Sequence, residues 1–216
     1  MNKNIMIYAA IFIMSVGFSL AAYFYTTQQQ TATTELAASN ADALAPAHAM
    51  RKGSPDAKVT IVEFFDPACG TCKQFHPVIK ELLNKFPTQI NVVMRYSPFH
   101  QGSDEMVAIL EASRKQSQFW NVLDIMFETQ DSWVSNHVAH PELFWGYLKG
   151  YGIDADRLQQ DMQDPKIVDV IQRDLADGET LKVEKTPTFF VNGKPLPSFG
   201  FDQFWALVKS ELEANY

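Results

Sequence analysis

Only two cysteines stand in the 216-residue chain, and they lie within one tetrapeptide, Cys69-Gly70-Thr71-Cys72. A bridge between positions so close closes too small a loop to stabilise a fold, so the pair has to be read as chemistry. Thiol–disulfide exchange needs a thiolate that attacks one sulfur of a disulfide and a second thiol that resolves the mixed disulfide, and Cys-x-x-Cys supplies both. The first cysteine has to ionise readily. It does so at a strand-to-helix junction, where unpaired N–H groups and the positive end of the helix converge, and Lys73 adds a nearby positive charge. Cys69 is then the nucleophile, with a pKa below the free value of about 8.5, and Cys72 the resolving thiol. Gly70 and Thr71 complete the motif and place no imidazole between the cysteines.

The flanking residues provide that junction. Lys58 to Phe65 (KVTIVEFF) is a β-branched and aromatic run after the turn signal Gly53-Ser54-Pro55-Asp56, and predicts a buried strand. After the cysteines, Phe75, Ile79, Leu82, Leu83 and Phe86 recur at helical spacing up to Pro87, so Cys72 falls on the first turn of an amphipathic helix. Ile90 to Tyr96 predicts a second strand, parallel to the first because a helix crosses between them. Helical segments follow over 106–115, 119–128, 141–149, 154–162 and 166–181. A hairpin is expected from Thr188–Val191 and Lys194–Leu196 around Asn192-Gly193, then a closing helix over 202–214. The expected fold class is α/β, in the order β-α-β, helices, β-β-α.

Other chemistries find little support. With 18 basic and 25 acidic side chains the net charge is −7, which disfavours nucleic acid. No Gly-rich phosphate loop, G-x-S-x-G elbow or H-E-x-x-H occurs. Structural zinc needs about four ligands, and no second cysteine pair or H-x-x-x-H accompanies the motif, so no metal ligands are assigned. The rival chemistry is Cu(I) binding by the two thiolates and His76. The aromatic residues Phe119, Trp120, Phe127, Trp133, Phe144, Trp145 and Tyr147 read as core of the helical segment, and Ser97-Pro98-Phe99-His100 as a loop at the rim of the site.

The N-terminus points outward. Ile5 to Tyr25 is an uncharged apolar run that as a helix spans roughly 31 Å, close to a bilayer core. Lys3 precedes it and no Lys or Arg follows until Arg51, which leaves the start cytoplasmic and the remainder outside. Ser19-Leu20-Ala21 also has the small-residue pattern of a signal-peptide cleavage site. Both routes export the domain. Residues 1–25 are therefore expected to be a signal-anchor or signal peptide, 26–50 a polar tether without a core in which Glu35 to Leu44 can form a short helix, and 51–216 the folded domain.

These motifs at their offsets resemble the thioredoxin-fold oxidoreductases, most closely the exported DsbA-like branch. The resemblance rests on Val62-Glu63-Phe64-Phe65, with Glu63 six positions before Cys69, on Pro77 five after Cys72, and on Thr186-Pro187-Thr188-Phe189 before the late hairpin. It covers the chain from about Lys52 to Tyr216 and implies a thioredoxin fold with a helical insertion between its β-α-β and β-β-α halves. It further implies that Glu63 accepts the proton of Cys72 when Cys72 attacks, that Pro187 is a cis-proline packed against the disulfide, and that Thr186 pairs with an extended substrate chain. The implied cofactor is none beyond a redox-active Cys69–Cys72 disulfide. The implied partners are unfolded or cysteine-containing exported proteins and a membrane redox partner, at the periplasmic or extracytoplasmic face. Whether disulfides are donated, removed or shuffled stays open, because relatives sharing the motif span about 150 mV.

Overall fold

The computed structural model describes residues 3–216; the amino-terminal Met1 and Asn2, which enter the expected signal segment, lie outside the described residues. A five-stranded mixed sheet of order β1-β3-β2-β6-β7 organises the domain. Its strands are β1 (Met50–Gly53), β2 (Val59–Phe65), β3 (Ile90–Tyr96), β6 (Thr188–Val191) and β7 (Lys194–Pro195), while β4 (Val134–Ser135) and β5 (Val138–Ala139) form a separate hairpin. The helices are α1 (Lys3–Ser39), α2 (Ala41–Leu44), α3 (Gly70–Lys85), α4 (Ser103–Ser113), α5 (Phe119–Thr129), α6 (Pro141–Leu148), α7 (Ala155–Asp161), α8 (Pro165–Thr180) and α9 (Phe201–Asn215).

β2 is central, paired in parallel with β3 and antiparallel with β6, and that is why its seven residues VTIVEFF are nearly all buried. Alternation along the strand sends side chains to two different cores. Val59, Ile61 and Phe65 face α3 and α9, where they meet Phe75, Ile79, Leu82, Phe204 and Val208. Val62 and Phe64 face the opposite side, with Val93, Phe190, Leu181 and Val183. Helices α4 to α8 lie between β3 and β6 in sequence, and contribute Met106, Leu110, Leu123, Phe144 and Leu158 to the first core. Asp154 and Asp164 cap α7 and α8 by accepting from Arg157 N and Lys166 N.

Two features depart from the sequence-based expectation. Residues 26–50, expected as a tether without a core, continue α1 to Ser39, form α2, and reach β1 at Met50, which pairs with Met94. Ala37, Leu44 and Ala49 are buried in the second core. The segment closes a sheet face that would otherwise expose Phe64 and Phe190. The hairpin β4–β5 is also new, turning through Asn136 and His137, both at positive φ.

A buried cluster of charges holds this N-terminal segment. Arg95 of β3, fully buried, donates to Asp174 at 3.0 and 2.9 Å and to Asp177 at 2.6 Å, both on α8. It also donates to the carbonyls of Ala43 and Leu44. Asp174 accepts in addition from Tyr96 N at 2.7 Å and lies 2.7 Å from His48 Nε2. Removing Asp174 leaves the buried guanidinium one carboxylate, Asp177, and strips Tyr96 N of its acceptor, and breaking a buried pair typically costs about 3–5 kcal/mol. Asp174→Ala should therefore lower the unfolding free energy in urea by about that amount; a loss below about 1 kcal/mol, the range of surface ion pairs, would contradict this account.

Candidate functional site

The site forms where β2 ends and α3 begins. Asp66 is fully buried, and its carboxylate gathers the loops around it. Oδ1 accepts from Ala68 N at 2.8 Å and from the Ser103 hydroxyl, and Oδ2 accepts from Phe99 N at 2.8 Å, His100 N at 2.9 Å and His100 Nδ1 at 2.7 Å. Cys69 N donates to Asp66 O at 3.0 Å, and Cys69 itself is the extended residue that precedes the first turn of α3. Gln130, at the end of α5, donates to the carbonyls of Pro67 at 2.7 Å and Cys69 at 3.1 Å. Neither Asp66 nor Gln130 carries a sequence signal, because each acts through partners distant in the chain.

Both cysteines are free thiols and nearly inaccessible. They titrate in opposite directions. Cys69 is drawn down from 9.0 to about 5, first by its hydrogen bond with Cys72. Partial burial opposes the shift, while the Thr186 side chain and the backbone N–H groups of Cys72 and Thr71 favour it. Cys72 is pushed well above 9.0, chiefly by burial, then by that same bond to Cys69 and by the charges of Glu63 and Cys69. One hydrogen bond thus makes one sulfur acidic and the other basic. Lys73, expected to stabilise the thiolate, pairs with Asp131 at 2.7 Å and is not among the leading causes of the shift. The second thiol does most of that work, aided by the backbone at the helix start. Gly70 opens α3 with space beside it, since an added Cβ would come no nearer than 4.0 Å to Gln130 Oε1.

Glu63 lies on the α3 side of β2, buried, opposite Met94 and Phe189 in the sheet. Burial first, and the Cys69 charge second, raise its pKa from 4.5 to about 8. Thr186–Pro187 is a cis peptide bond, and the Cys69 thiol donates to the Thr186 carbonyl at 3.3 Å. The structure therefore brings together Cys69, Cys72, Glu63, Thr186 and Pro187, with Gly70 and Thr71 completing the turn. Phe75 backs the site, its ring stacked on Phe201 at 4.3 Å and tilted on Phe189 at 5.0 Å.

His76 does not join the thiols. Its Nε2 lies 2.6 Å from Asp124 Oδ1, its ring lies against Phe127, and burial lowers its pKa. The imidazole considered as a third Cu(I) ligand is thus directed elsewhere, and among the described residues no three His, Cys, Asp or Glu side chains converge as a metal site. Of the aromatic residues expected as core of the helical segment, Phe119, Phe127, Trp133 and Phe144 are buried and Trp120 and Trp145 pack partly buried against them, whereas Tyr147 is exposed. The loop Ser97 to His100 reaches the site only through Asp66.

A family model for thioredoxin matches residues 45–210. The chain belongs to the thioredoxin family. Among solved structures, a thioredoxin-like oxidoreductase from Silicibacter pomeroyi is 25% identical with a TM-score of 0.70, covering 82% of this chain and 99% of that one. A linker-deletion variant of ScsC from Proteus mirabilis, 20% identical with a TM-score of 0.72, covers 98% of this chain and 96% of its own, and so shares the fold. A curated relative, the Na(+)/H(+) antiporter NhaA of Herminiimonas arsenicoxydans, is 31% identical over 145 residues, which are 67% of this chain and 22% of the antiporter. The matched region spans about a fifth of the length of these curated relatives. This member of the family thus shares its fold with DsbA-like proteins and carries a helical segment between the two halves of the thioredoxin fold.

The split in thiol acidity sets a pH dependence. Cys69 is an acid with a depressed pKa, so its ionisation contributes stability that is complete above 9.0 and lost as the pH falls through about 5. Glu63 has the opposite sign: its raised pKa costs stability progressively as the pH climbs from 4.5 through about 8. Iodoacetamide labelling of the reduced protein, read by peptide mass, should modify Cys69 with a midpoint near pH 5 and leave Cys72 unmodified at pH 8. Equal labelling of both thiols, or a Cys69 midpoint above 8, would overturn the assignment.

Proposed function

We propose that this protein is an extracytoplasmic thiol–disulfide oxidoreductase acting on the cysteines of exported proteins, with the Cys69–Cys72 pair as its only redox group. The observation that carries the reading is the opposed acidity of two thiols in direct contact, next to a buried carboxyl group that is neutral at pH 7. Kinship with thioredoxin-like oxidoreductases supports it, as does an N-terminal helix long and apolar enough to cross a membrane.

In the donating direction a substrate thiolate attacks Cys69 Sγ of the Cys69–Cys72 disulfide. The S–S bond breaks, its electron pair leaves on Cys72, and the neutral Glu63 carboxyl supplies the proton that this strongly basic sulfur takes up. A second substrate thiolate then attacks the substrate sulfur of the mixed disulfide and expels Cys69 as a thiolate, which its low pKa makes a good leaving group. The substrate gains a disulfide and the pair becomes a dithiol. In the reverse direction the Cys69 thiolate is consumed in the attack, which removes the charge that helps hold Glu63 neutral. Glu63 then accepts the Cys72 proton more readily at the step that needs it. Thr186 presents its backbone to a substrate chain beside Cys69, as strands pair at a sheet edge.

The thiolate bears on the reduction potential. Stabilising the reduced form makes the disulfide more oxidising, and thiolate pKa values near 7 and near 3.5 accompany potentials of about −270 and −120 mV in thioredoxin and DsbA. A Cys69 pKa of about 5 lies between them. A glutathione titration of the Cys69–Cys72 pair should therefore return a potential between those limits, and one at or below about −270 mV would contradict a donor role.

Cys69→Ser should abolish exchange with a cysteine peptide, and Cys72→Ser should retain attack but accumulate mixed disulfide. Glu63→Gln should slow turnover about 10²-fold at pH 7, the scale of a lost proton-transfer group, while leaving the Cys69 labelling midpoint near 5, because Glu63 is already neutral there. An active Cys69→Ser protein would end this reading.

A further inference from the structure

Helix α1 is unbroken for 37 residues, from the apolar segment to the folded domain. It meets the domain over successive turns. Thr27, Gln30 and Thr34 lie along Lys194, Pro195, Pro197 and Leu207. Thr33 lines a cavity of about 180 Å³ together with Pro187, Thr188, Pro197 and Phe199, and Ala37 is buried with Phe64 and Phe190. A helix fixed at so many points cannot swivel as a flexible linker does. Residues 26–50 as a random coil would let the domain wander over about 25–30 Å; as a docked helix they set its height.

That height is small. The apolar run ends at Tyr25, and Thr33 is eight residues further on, which is about 12 Å of helix. The cavity that Thr33 shares with Pro187 lies one residue along the chain from Thr186, whose carbonyl is 3.3 Å from the Cys69 sulfur. The groove beside the exchange site is therefore tied to within about two helical turns of the membrane-spanning segment. Exposed Phe199 and Phe201 continue the same surface, and exposed Lys182 and Lys185 border the cavity.

We propose that the exchange site serves cysteines held at the membrane surface, on proteins embedded in or anchored to the same bilayer, and that α1 acts as a rigid spacer selecting them by height. This rests on the exchange activity proposed above. Within the thin layer that α1 defines, a membrane-held thiol and Cys69 meet at high effective concentration, whereas a thiol held well outside that layer does not.

The test uses the full-length chain in liposomes and one cysteine peptide in two forms, free in solution and acylated so that its cysteine stays close to the bilayer. An insertion of 18 helix-forming residues between Tyr25 and Thr26 adds five whole turns, about 27 Å, and returns the domain to the same rotation about the helix axis. The expected result is a fall of about tenfold in the exchange rate with the acylated peptide and no change with the free peptide. Equal rates with the acylated peptide before and after insertion would overturn the height selection. Absence of exchange with the free peptide in the uninserted protein would instead remove the activity on which the inference rests, so the two failures are distinct.

Discussion

A thiolate placed almost out of reach of water has to be stabilised by dipoles, because burial alone drives thiols toward the neutral form. Most of the architecture around residues 63–72 answers that requirement. The N–H groups of Thr71 and Cys72 are unpaired because α3 starts there, α3 starts there because β2 delivers the chain to the edge of the sheet, and β2 is held between β3 and β6. The hydrogen bond from Cys72 is the largest of the stabilising contributions, these dipoles adding to it, and it leaves Cys72 itself basic. Glu63 belongs to the same balance. A carboxylate in that place would oppose the thiolate, and burial keeps it a neutral acid at neutral pH.

The parts of this arrangement set by local pattern are legible from the amino acids alone. The runs over 59–65 and 90–96 are continuous enough in β-branched and aromatic residues to mark strands, and the spacing of Phe75, Ile79 and Leu82 marks the buried stripe of α3. Cys69, Cys72, Glu63, Thr186 and Pro187, named from motif offsets, fall together in space. What escapes local pattern is what depends on distant partners. Met-Arg-Lys-Gly at 50–53 has no strand signature and becomes β1 only by pairing with β3. Residues 26–39 lack a broad apolar stripe, and the one residue they bury, in the core that holds Phe190 and Phe64, is the small Ala37. Lys73 illustrates the reverse error, since its charge is adjacent in sequence yet satisfied by Asp131.

Arg95 is the plainest case of a residue whose role is invisible in its own strand. It stands in a run that reads as ordinary core, yet its guanidinium joins two carboxylates of α8 to two carbonyls before β1, above the ring of Phe64. Five donors in a fixed fork allow one side chain to bind so many acceptors. The N-terminal segment is thereby fastened to the sheet by polar geometry as well as by apolar contact, which gives a chain of small residues a single docked position.

The Asp66 carboxylate, with its acceptor positions occupied by five donors from four residues, carries a consequence for the speed of turnover. Alternation between dithiol and disulfide changes the separation of two sulfur atoms, and a loosely held loop would also rearrange its backbone and solvent each time. Here the loop entering α3 is already committed to one conformation, so the change falls on side-chain torsions of Cys69 and Cys72. Less structural relaxation then accompanies each electron pair.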